Sequence, residues 1–372
     1  MKKLIVSFAV VLVIFSIFSV RASASELDIF DESLNGLRDS LSDETLDKLK
    51  ELGFSGSIDD FGNLDLNGLF TQFINTVADA LGGPLSAAVV VIAAVILSAM
   101  LETYTHSLRY TDTREICSMI SALFILAQLL RPLSGLIHDS LSVLKAASDL
   151  MLVFVPVMAG ILSFSGRAVS SAGYCATVLS VSQIVSVVSS RFLAPGLSAM
   201  LGVSASAGLG GRLRLKGICD MLYSFLKWSL LFLMTIYTAV LSLQTTLSNA
   251  ADTVASKVAR FTLSSVIPLI GSSISEAYRA IRSGVDLLRS GAGVFVILAL
   301  IVTFLSLIVR SALWLGAINI CRCAADTFEV QSCSSALSSV SAAVSALMAV
   351  IICVCVTFII SAALMMSMGG AV

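Results

Sequence analysis

Long apolar runs with no charged side chain are the feature that most limits what this chain can fold into. The run 291–309 contains no acidic or basic residue, and neither does the run 338–366. A helix needs about 20 apolar residues to cross the hydrocarbon core of a bilayer. The chain is 57% hydrophobic and 13% charged, whereas soluble domains carry about 45–50% and about 25%. The sequence therefore predicts an all-α fold, a polytopic membrane helical bundle.

Eight segments are apolar enough to be predicted as membrane spans. They are roughly 84–101, 116–137, 150–166, 172–190, 192–208, 221–243, 291–309 and 338–366. Gln183, Arg191 and Pro195 interrupt the stretch from 172 to 208, so a hairpin of short helices that does not cross fully is an alternative there. The span count in this stretch therefore stays open.

The N-terminal 83 residues are predicted to be exported. Two lysines precede an apolar run at 4–20, and residues 22–24 form a small-x-small cleavage pattern, which is typical of a signal peptide spanning 1–24. An uncleaved anchor is the alternative. Residues 25–83 carry 13 acidic residues against three basic ones, and their apolar residues recur at helical spacing. We expect a small, acidic, helical extracytoplasmic N-terminal region, which is either a solvated cap or a docking surface.

The segment 272–290 carries two stripes of residues at helical spacing. The apolar stripe consists of Ile274, Ala277, Ile281, Val285 and Leu288. The charged stripe consists of Glu276, Arg279, Arg282, Asp286 and Arg289. Arg282 with Asp286, and Asp286 with Arg289, are placed to form ion pairs. Because a spanning helix would bury these charges at several kcal/mol each, we expect this helix to lie along the membrane surface or along a partner.

The residues just before this helix are apolar but too few to cross a bilayer. Pro268 removes a backbone donor and Gly271 permits a turn. These features predict a kink or a shallow re-entrant element. The chain is therefore predicted to contain a signal peptide (1–24), the acidic region (25–83), the first part of the transmembrane bundle (84–243), an amphipathic and re-entrant segment (244–290) and the last part of the bundle (291–372).

The same segment carries a resemblance to a known family. The residues that carry it are Ala251-Asp252-Thr253-Val254, Lys257, Phe261, Ile267-Pro268-Leu269-Ile270-Gly271, Ser275-Glu276-Ala277, Leu287-Leu288-Arg289 and Gly291-Ala292-Gly293. This run resembles the best-preserved part of the stage III sporulation protein AE family. The leader, the acidic region, the chain length and the span layout are similar as well.

The resemblance implies a non-enzymatic integral membrane subunit of the mother cell–forespore channel, a secretion-like "feeding tube" complex needed for endospore development. It implies a multi-pass protein in the mother-cell membrane around the forespore, with its N-terminal region extracytoplasmic. The implied partners are the lipid bilayer, other membrane subunits, a separate cytoplasmic ATPase and extracytoplasmic ring proteins. Because the family's motif has no catalytic role, only a structural role passes to Pro268, Gly271, Glu276 and Arg289.

The sequence predicts no catalytic, cofactor or metal site. His106 and His138 lack the paired spacing of metal ligands, and we expect both to be loop residues. The sequence has neither a phosphate-binding glycine loop ending in Lys-Ser/Thr nor a Gly-x-Ser-x-Gly elbow, so an intramembrane enzyme is disfavoured. Nucleic-acid binding would need a clustered basic face, and the charges do not indicate one.

An autonomous membrane transporter or permease is the alternative function, because the Pro-interrupted element could line a pathway. A proton-coupled carrier would carry a carboxylate near mid-membrane, and none falls there in the predicted spans. The ionisable residues Glu102, Arg131 and Arg191 lie near predicted span ends. Gln128, Gln183 and Gln244 are uncharged, and we expect them to hydrogen-bond between helices.

Val285→Asp tests the apolar stripe of residues 272–290. The substitution places a charge on the face predicted to contact a partner or the membrane, where a buried charge costs several kcal/mol. We expect less of the assembled complex to be recovered by affinity purification. Unchanged recovery would contradict an interfacial role for this helix.

Overall fold

The computed structural model describes residues 66–107, 111–164, 168–188 and 271–367 without gaps, together with residues 46–47 and parts of 191–254. The helices are α1 (Leu66–Ser107), α2 (Thr111–Phe164), α3 (Ala168–Val188), α4 (Phe232–Gln244), α5 (Gly271–Thr327) and α6 (Gln331–Ser367). No strand occurs in these ranges, which confirms the all-α prediction for them. The predicted signal peptide, most of the acidic region, Pro268 and most of the predicted span 192–208 lie outside the described residues.

Four of these helices are long and apolar enough to cross a membrane. The apolar segments are Ile74–Tyr104, Ile116–Ser163, Gly291–Thr327 and Gln331–Met366, and they support the prediction of a multi-pass membrane protein. Each is longer than the roughly 20 residues that one crossing requires. The 48-residue segment of α2 would extend about 72 Å at 1.5 Å per residue, more than twice the hydrocarbon thickness of about 30 Å.

α2 is one unbroken helix where the sequence predicts two spans, 116–137 and 150–166. Its two prolines, Pro132 and Pro156, lie inside the helix without ending it. Between the predicted spans His138, Ser142, Lys145 and Asp149 are exposed on one side of α2, whereas Leu144, Ala147 and Leu150 on its other side are buried. The two-span prediction is therefore wrong, because an amphipathic stretch joins two apolar ones within one helix. The prediction that both histidines are loop residues is also wrong, because His138 lies within α2 and His106 lies in the last turn of α1.

α5 likewise continues through a predicted boundary. Residues 272–290 and the apolar run from Gly291 belong to one helix, so the helical prediction for 272–290 is confirmed in the backbone. The pairing of its charged side chains stays a prediction. α1 also passes without interruption from the end of the acidic region into the first span, with Pro84 inside the helix.

α5 and α6 form an antiparallel hairpin with a tight turn at Phe328–Val330. Glu329 has a φ of 58°, a left-handed conformation that reverses the chain between the two helices. The amide of Phe328 donates to the carbonyl of Ala324 at 3.1 Å, and that of Val330 to Ala325 at 3.0 Å. These bonds satisfy carbonyls that the end of α5 would otherwise leave without a partner.

Side-chain contacts fix the register of the bundle. Ser341 of α6 donates to Asn319 of α5 at 2.9 Å, and Ser332 of α6 meets Ser118 of α2 at 3.3 Å. The thiol of Cys321 lies 3.7 Å from the carbonyl of Ala88. These contacts place the start of α2 beside the α5–α6 turn and the middle of α1 beside the last turns of α5. α2 also packs against α3, α5 and α6, so it lies at the centre of the described bundle.

Gly293→Val tests the close packing of the α5–α6 hairpin. A side chain at Gly293 would overlap the side chain of Met366, and overpacking a core costs about 1–3 kcal/mol. We expect a lower midpoint of thermal unfolding in detergent, and partial recovery when Met366→Ala is added. Gly316→Val is the matched control in the same helix, since nothing lies within 4 Å of a Cβ there. Equal midpoints for the two variants would contradict this packing.

Candidate functional site

The residues singled out from the sequence fall at the start of α5. Gly271 is the first residue of the helix, and the charged stripe from Glu276 to Arg289 occupies its first five turns. Pro268 lies outside the described residues. Since all of the predicted charged positions keep their helical spacing on one continuous helix, the structure brings them together along its length.

The charged segment is continuous with the buried centre of the bundle. Immediately after it, Ala292, Phe295 and Val296 are almost completely buried. An unbroken helix of 20 residues adds about 30 Å of length. Residues 271–290 are therefore an extension of a core helix, and the packing of that core determines the direction in which they extend.

An ion pair joins the middle of α2 to a position about two thirds of the way along α5. A guanidinium nitrogen of Arg310 donates to Asp139 Oδ2 at 2.8 Å, and the two side chains are 53% and 48% exposed. The pair was not predicted, because the predicted spans end at 137 and 309, just before the two residues. An exposed pair of this kind contributes about 0–1 kcal/mol in water. Because both charged side chains are about half exposed, this ion pair requires water or other polar groups around it.

The position of Asp139 bears on the transporter alternative. Asp139 falls inside the apolar segment of α2, two residues past the predicted span end at 137, and the absence of a carboxylate near mid-membrane stays a prediction. Carboxylates that carry protons or ions face the interior of a bundle or a water-filled cavity. Asp139 lies instead at the outer surface of the described bundle, paired with Arg310, so its position does not favour a carrier.

The exposed side of α2 changes character along the helix. Near its start the exposed residues are Ile116, Ile120 and Phe124. Further along the same side they are Gln128, Arg131, His138, Ser142, Lys145 and Asp149. From Arg131 to Asp149 these polar residues are 7, 4, 3 and 4 positions apart, which is the spacing of one side of a helix. Hydropathy averaged over both sides of the helix does not show this polar side.

A buried group of hydroxyls joins α3, α4 and α6. The Tyr174 hydroxyl donates to the carbonyl of Ser361, and the Tyr237 hydroxyl bonds the Ser361 hydroxyl. The Ser361 hydroxyl in turn donates to the carbonyl of Thr357 at 2.9 Å. Because each of these hydroxyls has a partner, the group meets the requirement that buried polar atoms be hydrogen-bonded and holds the three helices together.

One predicted polar contact is confirmed beside this group. The hydroxyl of Thr177 in α3 bonds the side-chain oxygen of Gln244 in α4, which is the interhelical role expected of Gln244. The ranges that the structure describes contain no cluster of three or more His, Cys, Asp or Glu residues that could hold a metal ion. The cysteines in those ranges are free thiols, and those in the core pack as small apolar side chains.

Four long apolar helices and a core sealed by interhelical hydrogen bonds define a polytopic helical membrane protein. The family model described as Stage III sporulation protein AE matches residues 52–369, which is most of the chain. The chain belongs to the stage III sporulation protein AE family, as its sequence resemblance implies, and membership implies a role in sporulation. No match is found among curated proteins or among solved structures.

Tyr237→Phe tests the buried hydroxyl group. Loss of one buried hydrogen bond costs about 1 kcal/mol, and α4 loses its polar link to α6. We expect a lower thermal midpoint in detergent and faster protease cleavage within 232–244. The control is Tyr223→Phe, at a partly buried tyrosine outside this group. If both variants unfold and are cleaved like the parent protein, the hydroxyl group does not hold α4 in place.

Proposed function

We propose that this chain is a non-enzymatic integral membrane subunit of the mother cell–forespore channel complex that endospore development requires. The observation that carries the proposal is the family match over residues 52–369, in a chain with four helices able to cross a membrane. In this role it resides in the mother-cell membrane around the forespore, with its N-terminal region on the extracytoplasmic side.

The surface of the bundle supports a role as a subunit within a larger assembly. α1 exposes large apolar side chains such as Leu85, Val89 and Leu97, whereas α2 exposes a polar stripe from His138 to Asp149. A chain with two such different outer surfaces meets two different environments. One suits lipid, and the other suits water or the polar surface of a neighbouring protein.

The charged segment of α5 is the part that we assign to assembly. An unbroken helix continues along its own axis, so a spanning helix that extends past the membrane carries its extension away from the bilayer. Of the two positions predicted for residues 272–290, contact with a partner therefore fits this geometry better than the plane of the membrane. The partners in this proposal are other membrane subunits of the channel and the extracytoplasmic ring proteins. A separate cytoplasmic ATPase supplies energy.

Deletion of the gene in its spore-forming host tests the proposal. We expect development to stop after engulfment, with loss of late gene expression in the forespore, because the channel would lack a subunit. The measurement is the yield of heat-resistant spores together with a forespore-specific reporter. Normal spores from the deletion strain would refute the proposal.

Complementation provides the matched controls for that experiment. The parent gene and a Val285→Leu variant, which keeps the apolar stripe, should restore spores, whereas Val285→Asp should not. Copurification of the other channel proteins should be lost in parallel with spore formation. Transport by the purified chain alone in lipid vesicles, with spores independent of those partners, would favour the autonomous permease instead.

A further inference from the structure

We propose that one level of the bundle marks the edge of the hydrocarbon and lies among the lipid headgroups. The level is defined by Asp79, His138, Asp139 and Arg310, which we call the charged collar. The part of the bundle between this collar and the α5–α6 turn crosses the bilayer. The longer part beyond the collar projects from the membrane. This inference concerns how the chain lies in a bilayer and does not depend on the channel role.

The contacts between helices place the members of the collar at one level. Asp139 and its neighbour His138 lie level with Arg310 through the ion pair. A Cβ on Gly83 of α1 would lie 4.0 Å from the ring of Trp314 of α5. Later in both helices, Ala88 of α1 contacts Cys321 of α5, so α1 runs parallel to α5. Asp79 lies four residues before Gly83, and Arg310 lies four residues before Trp314. Asp79 and Arg310 are therefore at the same level.

Below the collar, α1 presents an apolar belt of the right length for a bilayer. The exposed residues there include Leu85, Val89, Leu97 and Met100, each more than 60% exposed. From Leu81 to Tyr104 the helix rises about 35 Å, enough to cover a hydrocarbon core of about 30 Å. Tyr104 is exposed at the far end, and tyrosine is enriched at membrane interfaces.

The charges on α2 agree with this placement. Ser142, Lys145 and Asp149 are exposed beyond the collar, where water can reach them. At the bilayer centre each of the two charged residues would cost about 2.5–3.5 kcal/mol. Arg131 lies two turns below the collar, and its long side chain can extend toward the headgroups.

Beyond the collar, neighbouring helices cover an apolar run of α5. The segment Gly291–Thr327 is mostly buried, whereas the segment of α1 is mostly exposed. The residues between Gly291 and Val309 are buried or partly buried inside the bundle. This run is therefore shielded from water by neighbouring helices and does not need lipid around it.

The exposed apolar residues of α4 also lie beyond the collar. Tyr237 meets Ser361, and the register set by Asn319 and Ser341 places Ser361 about 16 Å past Arg310. The proposal requires protein to cover residues such as Leu243, which is 65% exposed. A bilayer centred on 221–247 is the competing placement, and it would put Leu243 in lipid and Leu97 outside it.

Single cysteines in the full-length chain, with the eight native cysteines replaced, test the proposal. Two pairs of sites are separated by 18 residues, or five full turns, so both members of a pair lie on the same side of a helix. They are Asp79 with Leu97 on α1, and Ser142 with Phe124 on α2. Membranes opened by freeze–thaw are treated with a charged, impermeant maleimide, and the total thiol is measured after denaturation.

We expect Asp79→Cys and Ser142→Cys to react at least about tenfold faster than Leu97→Cys and Phe124→Cys, because a charged reagent must pay several kcal/mol to enter hydrocarbon. A bimane on Leu97→Cys should be quenched by brominated lipid, and a bimane on Leu243→Cys should not. Asn75→Cys, one turn beyond Asp79, replaces Asp79→Cys if that variant fails to give a monodisperse protein in detergent.

Three results would overturn the collar. Equal labelling at all four sites would show that water reaches α1 and α2 along their whole length, as in a water-filled channel. Labelling at Ser142→Cys with protection of both Asp79→Cys and Asn75→Cys would show a polar face on α2 alone. Quenching at Leu243→Cys without quenching at Leu97→Cys would place the bilayer around residues 221–247.

Discussion

The close packing of α5 against α6 is the interaction on which the rest of the described bundle depends. Hydrocarbon offers no partner for backbone amides, so each span must be a helix that satisfies its own polar groups. Both helices of the hairpin exceed the length of one bilayer crossing. Small residues such as Ser339, Ala343 and Ala346 are buried along α6 and allow α5 to approach closely. Where the two helices are longer than one bilayer crossing, each therefore buries apolar side chains of the other.

Several buried hydroxyls in this bundle donate a hydrogen bond within their own helix. The hydroxyls of Ser140 and Ser148 donate to carbonyls one turn back, at 2.6 and 3.0 Å. Such bonds satisfy a buried serine without any partner on another helix. The tyrosine hydroxyls of α3 and α4 cannot reach their own backbone, so they bond to Ser361 of α6. This difference explains why serines are spread through the helices while the tyrosines meet at one point.

Sequence reasoning predicted the features that depend on composition and local spacing. Five of the eight predicted spans overlap the four long apolar helices, two of them on α2, and the helix at 272–290 follows from residues three and four positions apart. The unbroken course of α2 was missed because hydropathy averages its polar side with its buried side. The contact of Tyr174 with Ser361 joins residues 187 positions apart, and no local pattern marks such a pair. Asp139 and Arg310 were missed because charge itself was taken to end a span.

α5 connects three environments with a single rigid element. Its first five turns carry the predicted charged stripe, its next turns are buried in the bundle, and Arg310 stands at the surface beside Asp139. A helix lying freely on a membrane would take its position from lipid alone. Residues 271–290 instead take their direction from the packing of residues 291–327, because no turn separates the two parts. The interior of the bundle therefore sets where this segment can meet a partner.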